Sequence, residues 1–171
     1  MWVRSEYAGE LAVLATWLTA LLPWSVSVLR ESPQGVDATF TVINIRFVFL
    51  QFHYLFGLPI GDQGLDSIVQ FVFEIPGFVP NNQVPEGRLW LAAAGPFLLF
   101  LALSFVYYAR DGWLEANSPV DPVRVFGATF GVFAVVFTVA TAMFYQHQPT
   151  VPVGALFMWV FAAMLLRVER T

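Results

Sequence analysis

The sequence contains no cysteine and no lysine, and charged residues of any kind are scarce. The lack of cysteine excludes disulfides, thiolate metal sites and a cysteine nucleophile. Only 12% of the 171 residues are charged, whereas soluble domains usually carry about 25%. So little charge leaves too little polar surface for a globule surrounded by water, and the composition favours an integral membrane protein.

The basic residues are all arginine, and the eight of them are outnumbered by twelve acidic residues, which gives a net charge of −4. Without a basic patch the protein has no means of releasing phosphate counterions, which argues against nucleic acid as a partner. An acidic, lysine-free composition is favoured by high salt, because carboxylates stay hydrated while long lysine stems add apolar surface. High-GC coding would also replace lysine with arginine, so both explanations stay open.

Four apolar segments predict membrane-spanning helices, for which about 20 residues are needed. They cover residues 11–29, 89–109, 123–145 and 151–167. The last segment is short, but the stem of Arg167 can snorkel to the interface. We therefore predict an all-α integral membrane protein, a four-helix transmembrane bundle that forms a single membrane domain over residues 1–171, with the lipid bilayer as its partner.

Residues 31–88 are predicted to form an external insertion between the first two spans. Within it, residues 40–60 are apolar but contain four polar side chains: Asn44, Arg46, Gln51 and His53. On a helix the first and third of these share one face while the other two share the opposite face, so a lipid-exposed fifth span would be costly. We favour four spans over five.

Shorter elements are expected inside the insertion. Residues 39–45 are rich in β-branched side chains and suit a short strand. Residues 47–58 have a length typical of an interfacial or re-entrant helix. Residues 63–75 carry a narrow polar stripe at helical spacing, which predicts a short amphipathic helix.

The arginines indicate the orientation, because cytoplasmic loops carry an excess of them. With four spans and the N-terminus inside, the cytoplasm receives Arg4, Arg110, Arg124, Arg167 and Arg170. The outside keeps Arg30, Arg46 and Arg88. A five-span arrangement would flip only the first helix. Both arrangements predict a multi-pass protein of the cell membrane with residues 62–88 external and the C-terminus cytoplasmic.

Three side chains are candidates for a site in the external region. His53 and His147 lie on the same side and could be axial ligands of a haem or bind a metal, but no third ligand supports them and we expect no cofactor or metal. Arg46 lies within an apolar stretch, which makes it a candidate buried charge. Glu74, Asp62 and Asp66 are its possible partners.

The third span carries a stripe of small residues suited to helix packing, formed by Gly127, Gly131, Ala134 and Thr138. Small residues allow close approach of two helices, and threonine can hydrogen-bond across the contact. The stripe would pack within the monomer, where residues 92–95 offer a facing surface, or against another membrane protein chain or a second copy.

No catalytic motif accompanies these features, since H-E-x-x-H, G-x-S-x-G and phosphate-binding loop patterns are absent from the sequence. We expect a non-enzymatic protein, a structural or accessory subunit that contacts other helices in a membrane complex. The alternative is a small channel or a membrane protein that binds haem, lipid or pigment through a re-entrant region at residues 46–75.

Several stretches resemble a family of small multi-spanning membrane proteins of haloarchaea, a family of unknown function. They are residues 3–10, 46–58, 74–80, 118–124 and 146–154. The resemblance covers nearly the whole chain and implies a halophilic setting. It implies no activity, ligand or site residue.

Overall fold

The computed structural model describes residues 7–32, 39–57, 68–75, 77–78 and 83–168. The helices within these ranges are α1 (Ala8–Leu21), α2 (Pro85–Asn117), α3 (Pro122–Tyr145) and α4 (Val153–Leu166). The strands are β1 (Ser25–Glu31), β2 (Phe40–Arg46), β3 (Leu50–Phe56), β4 (Val69–Phe71) and β5 (Thr150–Val151).

The five strands form one antiparallel sheet in the order β4-β3-β2-β1-β5. The three central strands are seven residues long, whereas the edge strands β4 and β5 have three and two residues. Very short edge strands limit pairing with other chains. Strand β5 lies in the link between α3 and α4, and it pairs with β1, which follows α1. This pairing connects one edge of the sheet to the helices.

This sheet shows that the expected all-α four-helix bundle is wrong. Residues 40–45 of the expected strand at 39–45 do form a strand, but residues 50–56 of the expected re-entrant helix form β3 instead. Residues 69–71 of the expected amphipathic helix form β4, and the part of that helix at residues 63–67 lies outside the described residues. The described part of the region expected to be external therefore forms mainly a pleated sheet, and the polar residues of its strands follow a period of two rather than 3.6.

The first expected span, residues 11–29, is helical only in its first half. Leu22 precedes Pro23 and has an extended backbone with ψ of 146°, as a residue before proline prefers. Residues 25–28 then alternate serine and valine, which suits a strand with one polar and one apolar face. Apolar composition alone hides this change from helix to strand.

The other expected spans are helices with somewhat different bounds. Helix α3 agrees closely with residues 123–145, and α4 begins two residues after the start of its expected span. In α2 the helical backbone is interrupted at Arg110, where φ is −146° and ψ is 43°. This interruption follows the expected end of the second span at residue 109.

Two helices in the described ranges, α2 and α3, are long and apolar enough to cross a bilayer. A buried helix of a soluble protein can meet the same criterion. Helices α1 and α4 are apolar but have only 14 residues each.

The core runs along the helices and, at the end where the sheet begins, contains a cluster of aromatic rings around Trp24. Trp24 is fully buried, and its ring lies 4.0 Å from that of Phe137 and 4.8 Å from that of Phe97. Its indole N–H donates to the carbonyl of Thr19 at 2.8 Å. The start of α4 lies against Trp24, because the backbone N–H of Gly154 donates to the Trp24 carbonyl at 3.0 Å. Trp24, which immediately precedes β1, therefore contacts all four of the described helices.

Candidate functional site

A cleft of about 460 Å³ opens between the inner face of the sheet and the ends of α2 and α3. Its sheet wall is polar and consists of Asn44, Arg46, Gln51, His53 and Gln70. Its helix wall consists of Glu86, Phe144, His147 and Gln148. Its remaining lining is mainly apolar, from Ile75, Gly77, Phe78 and Val84. Polar residues thus outnumber apolar ones in the lining, which suits a polar ligand more than the mostly apolar ligands of typical pockets.

The strand register explains why the polar residues of the sheet meet on one face. Asn44 pairs with His53 and Arg46 with Gln51 across β2 and β3, and Gln51 pairs with Gln70 of β4. Residues two apart on a strand, and residues directly opposite each other on neighbouring strands, point to the same side. A helix would have divided the same residues between opposite faces.

Arg46 is the cation of the cleft and is only 5% exposed. Its Nη1 donates to the hydroxyl oxygen of Ser27 at 3.1 Å, and its guanidinium carbon lies 4.7 Å from the centre of the Phe144 ring. Among the described residues, Nε finds no hydrogen-bond acceptor and no carboxylate lies in ion-pair range. Burial lowers the pKa of Arg46 to about 10, so the side chain is charged at neutral pH.

Two amides continue the polar wall next to Arg46. The Nε2 atom of Gln51 donates to Oε1 of Gln70 at 3.2 Å. The Oε1 atom of Gln51 is buried and finds no donor within the described parts of the chain. A buried acceptor without a donor costs about 1–3 kcal/mol, so the cleft holds an unused acceptor as well as an unused donor.

His53 lies at the more open side of the sheet wall. Its Nδ1 is 2.7 Å from Oδ1 of Asn44. Burial, and to a lesser degree the charge of Arg46, lower the pKa of His53 below its usual value. The imidazole is therefore neutral at pH 7, and the bond to Oδ1 requires that Nδ1 carry the proton. This leaves Nε2 as an acceptor.

Glu86 supplies the carboxylate of the cleft from the first turn of α2. It is 5% exposed, and its Oε1 lies 3.4 Å from Nε2 of His147. The side chain of His147 is 70% exposed. Acidic groups in a first helical turn interact favourably with the helix dipole.

The structure brings together three candidates from the sequence, since Arg46, His53 and His147 all line this cleft. The two histidines are engaged with Asn44 and Glu86 respectively. Across the described ranges, no group of three or more histidine, aspartate or glutamate side chains is placed to hold a metal ion.

The expected partners of Arg46 do not pair with it in the described ranges. Glu74 instead accepts a hydrogen bond from the backbone N–H of Phe71 at 3.0 Å. Asp62 and Asp66 lie outside the described residues. Arg46 is instead held by a hydroxyl and an aromatic ring, neither of which neutralises its charge.

The small-residue stripe of α3 lies away from the cleft and packs against α4. A Cβ added at Gly127 would lie 3.1 Å from Cβ of Leu165, and one at Gly131 would lie 3.9 Å from Cβ of Ala162. Ala134 is fully buried. Thr138 donates to the Ala134 carbonyl at 2.6 Å and accepts from the indole of Trp159 at 3.2 Å. These contacts identify α4 as a facing surface of the stripe.

Sequence reasoning missed Glu86, Gln70 and Gln148 as residues of the site. Glu86 follows Pro85 at a helix start and resembles an ordinary dipole-stabilising acid. A test of residues 44–53 for a period of two would have found the polar wall, because Asn44, Arg46, Gln51 and His53 alternate with apolar residues within their strands.

These elements define an α+β protein in which apolar helices carry an antiparallel sheet, with a charged cleft at their junction. The chain belongs to the family of unknown function DUF7549, whose sequence profile matches residues 1–170. A comparison with curated proteins finds none that matches the chain.

Proposed function

We propose that this chain is a membrane protein that binds a small polar solute in the cleft between its sheet and its helices. The observation that carries the proposal is the pair of buried polar atoms in the sheet wall, Nε of Arg46 and Oε1 of Gln51, that lack partners among the described residues. Buried polar groups in native proteins are nearly always hydrogen-bonded. Both side chains line the cleft, so a polar solute bound there could satisfy these atoms after a small shift of the two side chains.

The outer surface of the helices supports the membrane part of the proposal. Large apolar side chains are exposed on each of them: Leu14, Leu18, Leu21, Leu99, Leu103, Phe105, Val132, Val135, Val139, Leu156, Trp159 and Val160. Exposed apolar side chains in such number, present on every described helix, are typical of a protein or membrane contact. A bilayer would cover them on all sides at once.

The cleft is proposed to face the outside of the cell membrane. The sheet end of the molecule carries Arg30, Arg46 and Arg88, and the opposite end carries Arg110, Arg124 and Arg167. In the sequence, Arg4 precedes α1 and Arg170 follows α4, which begin and end at that opposite end. The end richer in arginine is expected in the cytoplasm.

Labelling of single cysteines tests this orientation cleanly, because the chain has no cysteine of its own. An impermeant maleimide should label Arg88→Cys in intact cells and should label Asn117→Cys only after lysis. The reverse pattern would overturn the orientation, and labelling of both sites in intact cells would contradict a crossing between them.

Solute binding is tested by thermal unfolding of the purified protein in detergent with panels of neutral, anionic, cationic and zwitterionic small solutes. A bound solute at about 100 times its Kd should stabilise the fold by about 2.7 kcal/mol. Gln70→Trp, which fills the cleft, should abolish the protection, while Gln146→Trp on the exposed surface should not. The proposal fails if no class of solute protects the wild type.

The structural or accessory role expected from the sequence has less support. It depended on the stripe of Gly127, Gly131, Ala134 and Thr138 and on the absence of a polar pathway across the spans, and packing against α4 accounts for the stripe within the chain. Contacts with other membrane chains or with a second copy would have to use other surfaces.

A high-salt setting is also part of the proposal. It is supported by the acidic, lysine-free composition and by the resemblance to haloarchaeal proteins. Thermal unfolding in 0.1 M and in molar KCl tests it: higher salt should raise the unfolding temperature, and a lower one in molar salt would contradict it.

A further inference from the structure

We propose that the solute is a small zwitterion whose carboxylate binds at Arg46 and whose ammonium group binds at Glu86. This inference rests on the proposed function and names the chemical class of the ligand. It follows from two buried charges of opposite sign that line one cleft and are not paired with each other.

Arg46 provides the end of the cleft that is suited to a carboxylate. A guanidinium presents five N–H donors in a planar fork that matches a carboxylate. Within the described residues one hydrogen bond, from Nη1 to Ser27, is formed. The ring of Phe144 faces the cation but accepts no N–H bond in the plane of the guanidinium. The remaining donors at this buried charge are suited to a carboxylate.

Glu86 provides the end of the cleft that is suited to an ammonium group. Its carboxylate is buried at the start of α2, and in the part of the chain that the structure describes its ionic neighbour is His147, at 3.4 Å. That distance is longer than a good charge-assisted hydrogen bond, and the histidine side chain is largely in solvent. A carboxylate in this position is suited to an ammonium group.

The two charges lie on different walls of the cleft. Arg46 belongs to the sheet wall and Glu86 to the helix wall, and both line the same cleft of about 460 Å³. They do not form a salt bridge with each other. A ligand that reaches from one wall to the other therefore meets a cation at one end and a carboxylate at the other.

The signs of these charges also argue against simpler ions. A ligand with only a negative charge is attracted by Arg46 but repelled by Glu86, and a ligand with only a positive charge meets the reverse. Gln51 Oε1 adds an acceptor that suits an ammonium or amide N–H. Phe78 and Phe144 add apolar surface for a hydrocarbon side chain.

Isothermal titration of the purified protein with matched ligands tests the inference. The probes are L-leucine, 4-methylpentanoate, which lacks the ammonium group, and 3-methylbutylammonium, which lacks the carboxylate; L-alanine, propionate and ethylammonium form a smaller set. We expect one zwitterion to bind at least about tenfold more tightly than either of its singly charged analogues, since a hydrogen bond to a charged group is lost with each.

Substitutions assign the two ends of the ligand. Arg46→Gln should weaken zwitterion binding at least about tenfold. Glu86→Gln keeps the side-chain shape, should weaken zwitterion binding similarly, and should bring the affinities of L-leucine and 4-methylpentanoate close to each other. Arg124→Gln and Glu10→Gln are matched controls on exposed positions of α3 and α1, and both should bind as the wild type does.

The outcomes separate this inference from the proposed function. If singly charged or neutral solutes protect the protein as well as zwitterions do, the zwitterion inference is overturned while solute binding stands. If Glu86→Gln leaves the ratio of the two affinities unchanged, the inference is also overturned, and this holds even if Arg46→Gln fails to fold. If no solute of any class binds, both proposals fall.

Discussion

Two buried regions meet at Phe144: one is packed with aromatic rings, and the other is lined mainly by polar side chains. On one side is the aromatic core, where Trp90 packs 6.1 Å from the Phe144 ring and donates its indole N–H to the Val48 carbonyl. On the other side is the cleft, where Arg46 lies over the same ring and keeps a donor without an acceptor among the described residues. The core consists mainly of aromatic rings and leaves two hydroxyl oxygens, of Ser25 and Thr141, without a partner among the described residues, whereas the cleft leaves atoms of a charged guanidinium and an amide without one. We infer that the core supplies stability and that the cleft supplies binding.

The largest expected effect is in the core. Trp24→Ala should lower the free energy of unfolding by about 3–5 kcal/mol, because a fully buried aromatic side chain is replaced by a cavity. Chemical or thermal unfolding in detergent measures it. Trp113→Ala, at a position 60% exposed, is the matched control and should change little; equal losses at both positions would contradict the assignment of the core.

The next effect concerns the close approach of α4 to the sheet. A Cβ at Gly154 would lie 2.7 Å from the backbone Cα of Trp24, so Gly154→Ala must move the backbone. We expect a loss of about 1–3 kcal/mol. Gly95→Ala, where an added Cβ meets nothing within 4 Å, should be neutral or stabilising because alanine is the better helix former. Tolerance of alanine at both glycines would show that the approach is looser than described.

A smaller effect is expected on the cleft side of Phe144. Arg46→Met removes a buried charge and keeps most of the volume, so the free energy of unfolding should stay the same or rise by about 1 kcal/mol. The same variant should lose solute binding. Arg124→Met on the exposed face of α3 should alter neither quantity. A loss of stability in Arg46→Met comparable to that of Trp24→Ala would end the distinction between core and cleft.

The smallest effect is a pH dependence from His53. Its pKa in the folded protein is lowered, so the unfolded chain binds this proton more readily and acid favours unfolding. The contribution to stability is complete above about pH 6.5 and decreases as the pH falls below that value toward the folded-state pKa. His53→Gln should reduce the dependence of the unfolding temperature on pH in this range.

Arg46→Met sharpens the same measurement. It should reduce the contribution of His53 without removing it, because burial is the larger cause of the lowered pKa and the charge of Arg46 the smaller. An unfolding temperature whose pH dependence is identical in the wild type and His53→Gln would show that the histidine does not titrate as described.

The helices could be predicted from the sequence because a long apolar run bounded by proline or polar residues is compatible with few structures other than a helix. The Asp121-Pro122 start of α3 is an example, since the Asp121 side chain accepts from the N–H of Val123 at 3.0 Å. The sheet could not be predicted as a whole. Its central strands are as apolar as a short span, and its pairings join distant residues, such as Val26 with Val151.

The site could be predicted only in part for the same reason. Arg46, His53 and His147 were recognisable one by one, as unusual polar residues near apolar stretches. Their meeting depends on the register of β2 against β3 and on the docking of that sheet against α3. Glu86 carried no signal beyond its helix start, since its role depends on what lies opposite it.

Strand β5 is synthesised long after β1, the strand with which it pairs. Strand β1 is synthesised more than 100 residues before residues 150–151, and one of its edges stays uncovered until those residues arrive. An uncovered strand edge is a site for association with other chains. The cleft is likewise complete only after Phe144 and His147 have been made, so a nascent chain holds the sheet wall of its site long before it holds the helix wall.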